Sequence, residues 1–436
     1  MRVGYIGLGA LGGELAKRFL AAHELTVWDL NAAAAPAFEA LGARWATSPA
    51  ELGRTCDVVL LCLPRSSDVR EVLLGNGGLA QAMSAGRLVI DQTSGLPSAT
   101  GEIAAQLAAR GIGMVDAAVS ANPATVAAGG ATLMASGPDE WYARALPLLQ
   151  AITTNIYHCG DRVGDGQATK TVNNAMFESC RLGALELAAL GRKAGVPLDR
   201  LIEALSRGES RSFGTEKVLP AIWDGQPSTN FALALMLKDV DQAVSLGMAL
   251  GVPMPVTNGA QMLLQMGVNT LGDKARLDDM IGVVDSLSAV HLGDGSTPTA
   301  SEEPAGVVDL IDGAVSALNR LISCECLALG LAYGLTLERL GPVLRKSSGW
   351  NGAAEAALSL LAADPSGGGT HMASVLQKLQ GAAALAMRSG APALLARIGC
   401  GAIEAGLNAT GGVPRTEGLR PRHQLIAAAQ SIAATS

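Results

Sequence analysis

The stretch GYIGLGALGGELA (residues 4–16) constrains the fold of this chain more than any other. It places Gly7-x-Gly9-x-x-Gly12 directly after an apolar run and at the opening of an Ala/Leu helix. Glycines at this spacing permit a tight strand-to-helix turn and let the backbone approach a pyrophosphate held at the helix N-terminus. A second apolar run ends at Asp29, 22 residues after Gly7, where a carboxylate can accept ribose hydroxyls. The segment DLNAAAA (29–35) offers no Arg or Lys to neutralise a 2′-phosphate, so NAD is favoured over NADP. The expected nucleotide contacts are Gly7, Leu8, Gly9, Ala10, Leu11, Gly12, Asp29, Leu30 and Asn31, with Leu63 and Pro64 ending the third run.

Five short β-branched runs, at 2–7, 25–30, 57–64, 86–94 and 111–120, alternate with helix-like segments. That alternation predicts a parallel, doubly wound α/β domain of the Rossmann kind over residues 1–162. Beyond about residue 164 strand signals vanish, and Ala/Leu helices broken by Gly and Pro predict an all-α region. A hydrophobic share of 49% with only 3% aromatic residues requires a core built mainly of Ala, Leu and Val.

The helical region repeats itself. A shift of 139 residues sets Arg181, Glu186, Gly191, Gly195, Arg200 and Leu201 on identical residues, and later Met248, Gly251 and Pro253. The expected organisation is a helical domain over 163–290, a linker over 291–306, a second, degenerate helical repeat over 307–412 and a tail over 413–436. The repeat is unequal. Lys170 meets Asp309, Asn173 meets Asp312, Asn174 meets Gly313, and Lys238 meets Gln377. An apolar frame kept while its polar cluster is lost marks Lys170, Asn174 and Lys238 as a site rather than scaffold.

Lys170 and Asn174 stand at i and i+4, on one face of a helix. A Lys desolvated there can exchange a proton near neutral pH, and an amide beside it can position a hydroxyl. With these residues the chain resembles the β-hydroxyacid dehydrogenase family, typified by 3-hydroxyisobutyrate dehydrogenase, over residues 1–290. Four motifs in order carry the likeness: GYIGLGALGGELA, DQTSGLP (91–97), DAAVSANPATVAAGGATLMASG (116–137) and GDGQATKTVNNAM (164–176). LKDVDQA (237–243) adds a fifth similarity. The resemblance implies that Thr93 and Ser94 lie beside the nicotinamide and that Ser120 contacts substrate. It further implies that Lys170 is the acid/base, that Asn174 orients it, and that Lys238 lies near cofactor and substrate.

Two departures stand out. Ala121 and Asn122 occupy places where the family commonly has glycines, which narrows or re-aims the substrate pocket and adds the hydrogen-bonding capacity of Asn122. The tandem helical repeat resembles the C-terminal part of 6-phosphogluconate dehydrogenase, but Phe177 stands where that enzyme's acid belongs, with Glu178 one step off. The second repeat is expected to fill the place of a partner subunit's helical domain, giving an internal pseudo-dimer; a homo-oligomer is also open. The expected activity is hydride transfer between NAD and a small 3-hydroxy acid or its carbonyl form. The alternatives are an imine reductase, a 6-phosphogluconate-dehydrogenase-like enzyme and a non-catalytic nucleotide-binding scaffold.

Other features narrow the setting. A net charge of −7 without a basic stripe argues against nucleic acid. Seven scattered cysteines suit reduced thiols in a cytoplasmic protein, and Cys324-Glu-Cys326 lacks the second ligand pair of a metal site, so no metal is expected. No signal peptide and no uncharged apolar run of about 18 residues is expected, so neither is a membrane span. Arg415, Arg420, Arg422 and His423 in the tail read either as a solvated stretch or as a positive lid over an acidic substrate.

Overall fold

The computed structural model describes residues 1–293, 306–363 and 372–409. The expected linker, apart from its ends, and the whole tail with Arg415, Arg420, Arg422 and His423 lie outside the described residues. The chain divides into two compact units. One is Met1–Lys170 with Glu338–Val343; the other is Thr171–Leu337 with the described residues from Leu344 onward.

The first unit is built on an eight-stranded sheet in the order β3-β2-β1-β4-β5-β6-β7-β8. The strands are β1 (Arg2–Ile6), β2 (Glu24–Trp28), β3 (Arg44–Trp45), β4 (Val58–Leu61), β5 (Leu88–Asp91), β6 (Gly113–Ser120), β7 (Thr132–Ser136) and β8 (Asn155–Gly160). The five predicted runs are β1, β2, β4, β5 and β6. Val3 and Tyr5 pack into a core on one face, with Val58 and Leu60. Ile6, Val59 and Leu61 pack into a second core on the other. A sheet covered on both faces explains why its strands read as continuous apolar runs.

The expectation of a wholly parallel sheet is corrected at β7, which runs antiparallel to β6. Only residues 121–131 connect the two, too few for the crossover that parallel strands need. The helix Asp139–Ile152 then supplies a true crossover, and β8 is parallel to β7.

The second unit is helical. Both stretches expected as separate helical domains pack within it. The helix Asp165–Lys193 passes into it from the first unit after Lys170, and Val307–Tyr333 is of similar length. Val307–Tyr333 is, among the described residues, long and apolar enough to cross a membrane, so the expectation of no such run holds only for uncharged stretches. Of its most apolar window, 83% is buried inside the protein. Cys324 and Cys326 lie on it, both buried, with burial pushing the Cys324 thiol up to about 12.

Two buried carboxylates hold helix ends in matching ways. Glu186 accepts the backbone N–H groups of Leu394 (3.0 Å) and Leu395 (2.9 Å), which open the helix Leu394–Ala409. Glu325 accepts those of Val256 and Thr257, both at 2.9 Å, in the helix Pro255–Leu271. Glu186 and Glu325 are 139 positions apart, as are Ser212 and Asn351, which pair with each other in an isolated antiparallel bridge.

Burial pushes both carboxyls up to about 7 against the pull of those N–H donors. The folded value lies above the unfolded one, so the folded state keeps protons that the unfolded chain has lost. Stability therefore falls as pH rises from the ordinary carboxylate range to about 7 and is flat above. Thermal melts of Glu186→Gln and Glu325→Gln should each show a shallower decline across that window. An unchanged slope in both variants would mean that neither carboxyl titrates there. Alanine at either position should cost about 2–4 kcal/mol, because it leaves two helix-end donors buried without an acceptor.

Candidate functional site

The glycine turn closes for reasons that can be separated residue by residue. Gly7 sits at φ +94°, and a Cβ there would lie 2.3 Å from the Cys62 carbonyl oxygen. A Cβ on Gly12 would lie 2.1 Å from the Gly7 carbonyl oxygen. Protein packing thus demands both. Gly9 is different: a Cβ there would meet nothing within 4 Å. Gly9 caps the helix Ala10–Lys17, which has no side-chain cap and no acid in its first turn. An open cradle at an uncapped helix end fits a pyrophosphate.

Asp29, at the end of β2, accepts the Leu8 N–H at 2.6 Å through one oxygen and the Asn31 N–H at 2.7 Å through the other. It thereby ties the glycine turn to the next loop. Asn31 caps the short turn Ala32–Ala34, and Leu30 is 90% exposed beside it. Leu63 donates its N–H to the Thr93 hydroxyl at 3.0 Å. Thr93 is buried and its hydroxyl is engaged in joining two strand-end loops, whereas Ser94 is half-buried. Of the pair expected beside the nicotinamide, Ser94 is therefore the presented one. Pro64, on the same rim, is exposed.

Lys170 is half-buried, and its Nζ donates to Ser94 Oγ. The start of its helix is anchored by residues that sequence reasoning passed over. Asp91, Asp116 and Ser136 are cross-strand neighbours on β5, β6 and β7. Asp116 accepts the Gly164 N–H (2.7 Å), the Gln167 N–H (2.8 Å) and the Ser136 hydroxyl. Ser136 in turn accepts the Gly166 N–H at 2.8 Å. Gly164 adopts φ +106°, and a Cβ on Gly166 would lie 2.3 Å from the Met134 carbonyl oxygen, which explains the glycines of GDG (164–166). Gln167, three residues before Lys170, donates to Asp91 (3.2 Å) and the Thr93 carbonyl (3.1 Å) and accepts from Thr100 (2.8 Å). One side chain therefore locks the Lys170 helix to the loop that carries Ser94. Burial pushes Asp91 up to about 6 and Asp116 up to about 7. The signal was a carboxylate inside each of two apolar runs, LVID and GMVDAAVS.

Ser120 ends β6 half-buried, followed by half-buried Ala121. The expectation that Asn122 adds hydrogen-bonding capacity is corrected for its carbonyl oxygen, which caps the helix Pro123–Ala127. That oxygen accepts the Thr125 N–H at 2.8 Å and the Thr125 hydroxyl at 2.9 Å.

In the second unit Asn174 is buried and donates to Asp239 at 2.7 Å. Lys238 lies 3.3 Å from the same carboxylate and is partly exposed. The structure thus brings Asn174 and Lys238 together through Asp239, a residue not singled out from the sequence although it sits inside LKDVDQA. Glu178 is enclosed with Arg181 at 3.3 Å, and Phe177 packs edge-on against Phe213. Both side chains are buried.

Among the described residues one group of potential metal ligands converges, Asp139, His158 and Asp161. Arg339 bonds His158 Nδ1 at 2.8 Å and lies 3.4 Å from Asp161, so a guanidinium already occupies that charge.

Comparison with known proteins matches residues 2–160 to the NAD-binding domain of 6-phosphogluconate dehydrogenase. Residues 164–284 match the NAD-binding model of NADP-dependent 3-hydroxyisobutyrate dehydrogenase. The 2-(hydroxymethyl)glutarate dehydrogenase of Eubacterium barkeri is 31% identical over 299 residues, 68% of this chain and 98% of that protein. The solved 3-hydroxyisobutyrate dehydrogenase of Salmonella typhimurium is 28% identical with a TM-score of 0.55, over 65% of this chain and 99% of its own. The fold of Plasmodium falciparum 6-phosphogluconate dehydrogenase, at 12% identity, superposes with a TM-score of 0.69 over 93% of this chain and 92% of its own.

Proposed function

The chain belongs to the β-hydroxyacid dehydrogenase family, and from that premise we propose that it moves hydride between NAD and a small 3-hydroxy acid, with Lys170 as the general acid/base. It is a nicotinamide-dependent dehydrogenase acting on hydroxyl groups; the substrate and the residue roles are our reading. The carrying observation is the Lys170 Nζ, half-buried and bonded to Ser94 at the end of a helix held by Asp116 and Gln167. The cofactor supplies or accepts the hydride. Lys170 takes the hydroxyl proton or returns it, and Asn174, one turn further along the same helix, orients the reacting group. Ser120 contacts the substrate, and Gly7–Gly12, Asp29 and Ser94 hold the nucleotide.

The Asp29 carboxylate and the absence of a basic neighbour in 29–35 support NAD over NADP. The matching clamps of Glu186 and Glu325, and the bridge of Ser212 to Asn351, support a duplicated helical domain whose halves form an internal pseudo-dimer. Seven scattered cysteines support a cytoplasmic setting. The engaged Glu178 speaks against 6-phosphogluconate-type decarboxylation, and Lys170 speaks against imine reduction. A panel of 3-hydroxy acids with NAD and with NADP, read by the absorbance of reduced nicotinamide, tests the proposal. Turnover of at least one acid with NAD is expected. Tight NAD binding without turnover of any would favour the scaffold alternative.

A further inference from the structure

We infer that the loop Ser347–Gly349, which lies beyond the residues matched to the family, belongs to the proton-transfer machinery: it fixes the side chain of Asn173 and through it the orientation of Asn174. The inference rests on the proposed function, in which Asn174 orients the reacting group.

Asn173 is wholly buried, and its amide is saturated. Its Oδ1 accepts the Ser347 hydroxyl and the Gly349 N–H, the latter at 2.9 Å. Its Nδ2 donates to Ser348 Oγ at 3.2 Å and to Asn174 Oδ1 at 3.1 Å. A backbone N–H can only donate, so the Asn173 atom that faces Gly349 must be oxygen. Its amino group then faces Asn174, which must answer with oxygen. The Asn174 amino group is left for Asp239, a pure acceptor when ionised, at 2.7 Å. The amide of Asn174 is thus set from both ends, and one end is the Gly349 N–H, 175 positions away in sequence.

The other helical stretch supplies an internal comparison. Ser210, 139 positions before Gly349, bonds Asp312, which is 139 positions after Asn173. The loop contact therefore exists twice. Only one version leads anywhere, because Gly313 stands where Asn174 would and has no side chain to orient. The loops differ accordingly: a Cβ on Gly349 would lie 2.6 Å from both the backbone oxygen and Oδ1 of Asn173. Glycine lets this loop close on Asn173, whereas Ser210 reaches Asp312 through its own hydroxyl.

The test uses full-length Ser347→Ala, Gly349→Ala and Ser210→Ala, with Asn174→Ala and Lys170→Ala as references. Ser347→Ala and Gly349→Ala should lower kcat for the best acid of the panel about tenfold, with the NAD Kd unchanged. Ser347→Thr should restore most of the loss. Ser210→Ala should lower the melting temperature comparably yet leave kcat within twofold. Near-normal kcat in Ser347→Ala and Gly349→Ala, while Asn174→Ala is impaired, overturns the inference and leaves the proposed function standing. A wild-type chain that turns over no acid overturns the proposed function. The inference is then decided by the side-chain amide signal of Asn174 in ¹⁵N-asparagine-labelled protein. That signal should move in Ser347→Ala and Gly349→Ala and stay in place in Ser210→Ala; a fixed signal in all three overturns it.

Discussion

Replacing Lys170 with alanine should reduce kcat by about 10²–10⁴-fold, the range that one positioned acid/base contributes, while NAD still binds within about twofold of wild type. The two effects separate because the glycine turn, Asp29 and the cap at Gly9 do not involve Lys170. Lys170→Arg sharpens the result. Arginine keeps the positive charge but does not release its proton in this pH range, so it should be as inactive as alanine if proton exchange is the role. Substantial activity in the arginine variant would reassign Lys170 to electrostatic stabilisation alone. Ser94→Ala should cost less, because it removes the hydroxyl that receives the Lys170 Nζ and leaves the amine itself. Near-normal turnover of Lys170→Ala with intact NAD binding would end the proton-transfer reading.

How far such a site can be read from sequence depends on how local its causes are. The nucleotide turn was legible because Gly7, Gly9, Gly12 and Asp29 are bound to one another by short-range geometry, and the Leu8 N–H to Asp29 bond spans only 21 positions. The placement of Lys170 and Asn174 on one helix was legible for the same reason, as were the strands β1, β2, β4, β5 and β6. The antiparallel β7 was not. TLMAS and NIYHCG carry no stronger strand signal than many helical segments, and direction was set by the length of the connection. The anchors of the Lys170 helix also escaped notice, since Asp116 to Gly164 spans 48 positions and Gln167 to Asp91 spans 76.

The proposed repeat was legible only as a pattern of identities at one shift. Its energetic content lies in contacts that no shift displays. Glu186 and Glu325 were visible as matched residues, yet each binds a helix end in the other stretch rather than its own. The comparison at that shift set Asn173 and Asn174 against Asp312 and Gly313. It did not reveal that the loop of the second stretch, rather than its lost polar residues, is what touches Asn173.

The largest stability effect is expected at Asp116. Alanine there strips the acceptor from the Gly164 and Gln167 N–H groups and from the Ser136 hydroxyl, all enclosed at the head of the Lys170 helix. Each buried donor left unpaired costs about 1–3 kcal/mol, so the variant should lose several kcal/mol and melt about 10 °C lower or fail to fold. Asp116→Asn keeps one acceptor and the volume, and should lose roughly half as much. The asparagine variant also isolates charge from geometry. Burial raises the Asp116 carboxyl to about 7, above its unfolded value, so the folded state retains a proton that the unfolded chain sheds. Wild-type stability should therefore fall as pH rises towards 7 and level off above, and Asp116→Asn should remove part of that slope. Asp91, raised to about 6, and Glu186 and Glu325, each raised to about 7, keep their own shares of it. A melting temperature for Asp116→Ala within about 2 °C of wild type would show that the helix head is held elsewhere. In that case the Ser94–Lys170 geometry would have to rest on Gln167 alone, and Gln167→Ala should then collapse kcat where Asp116→Ala does not.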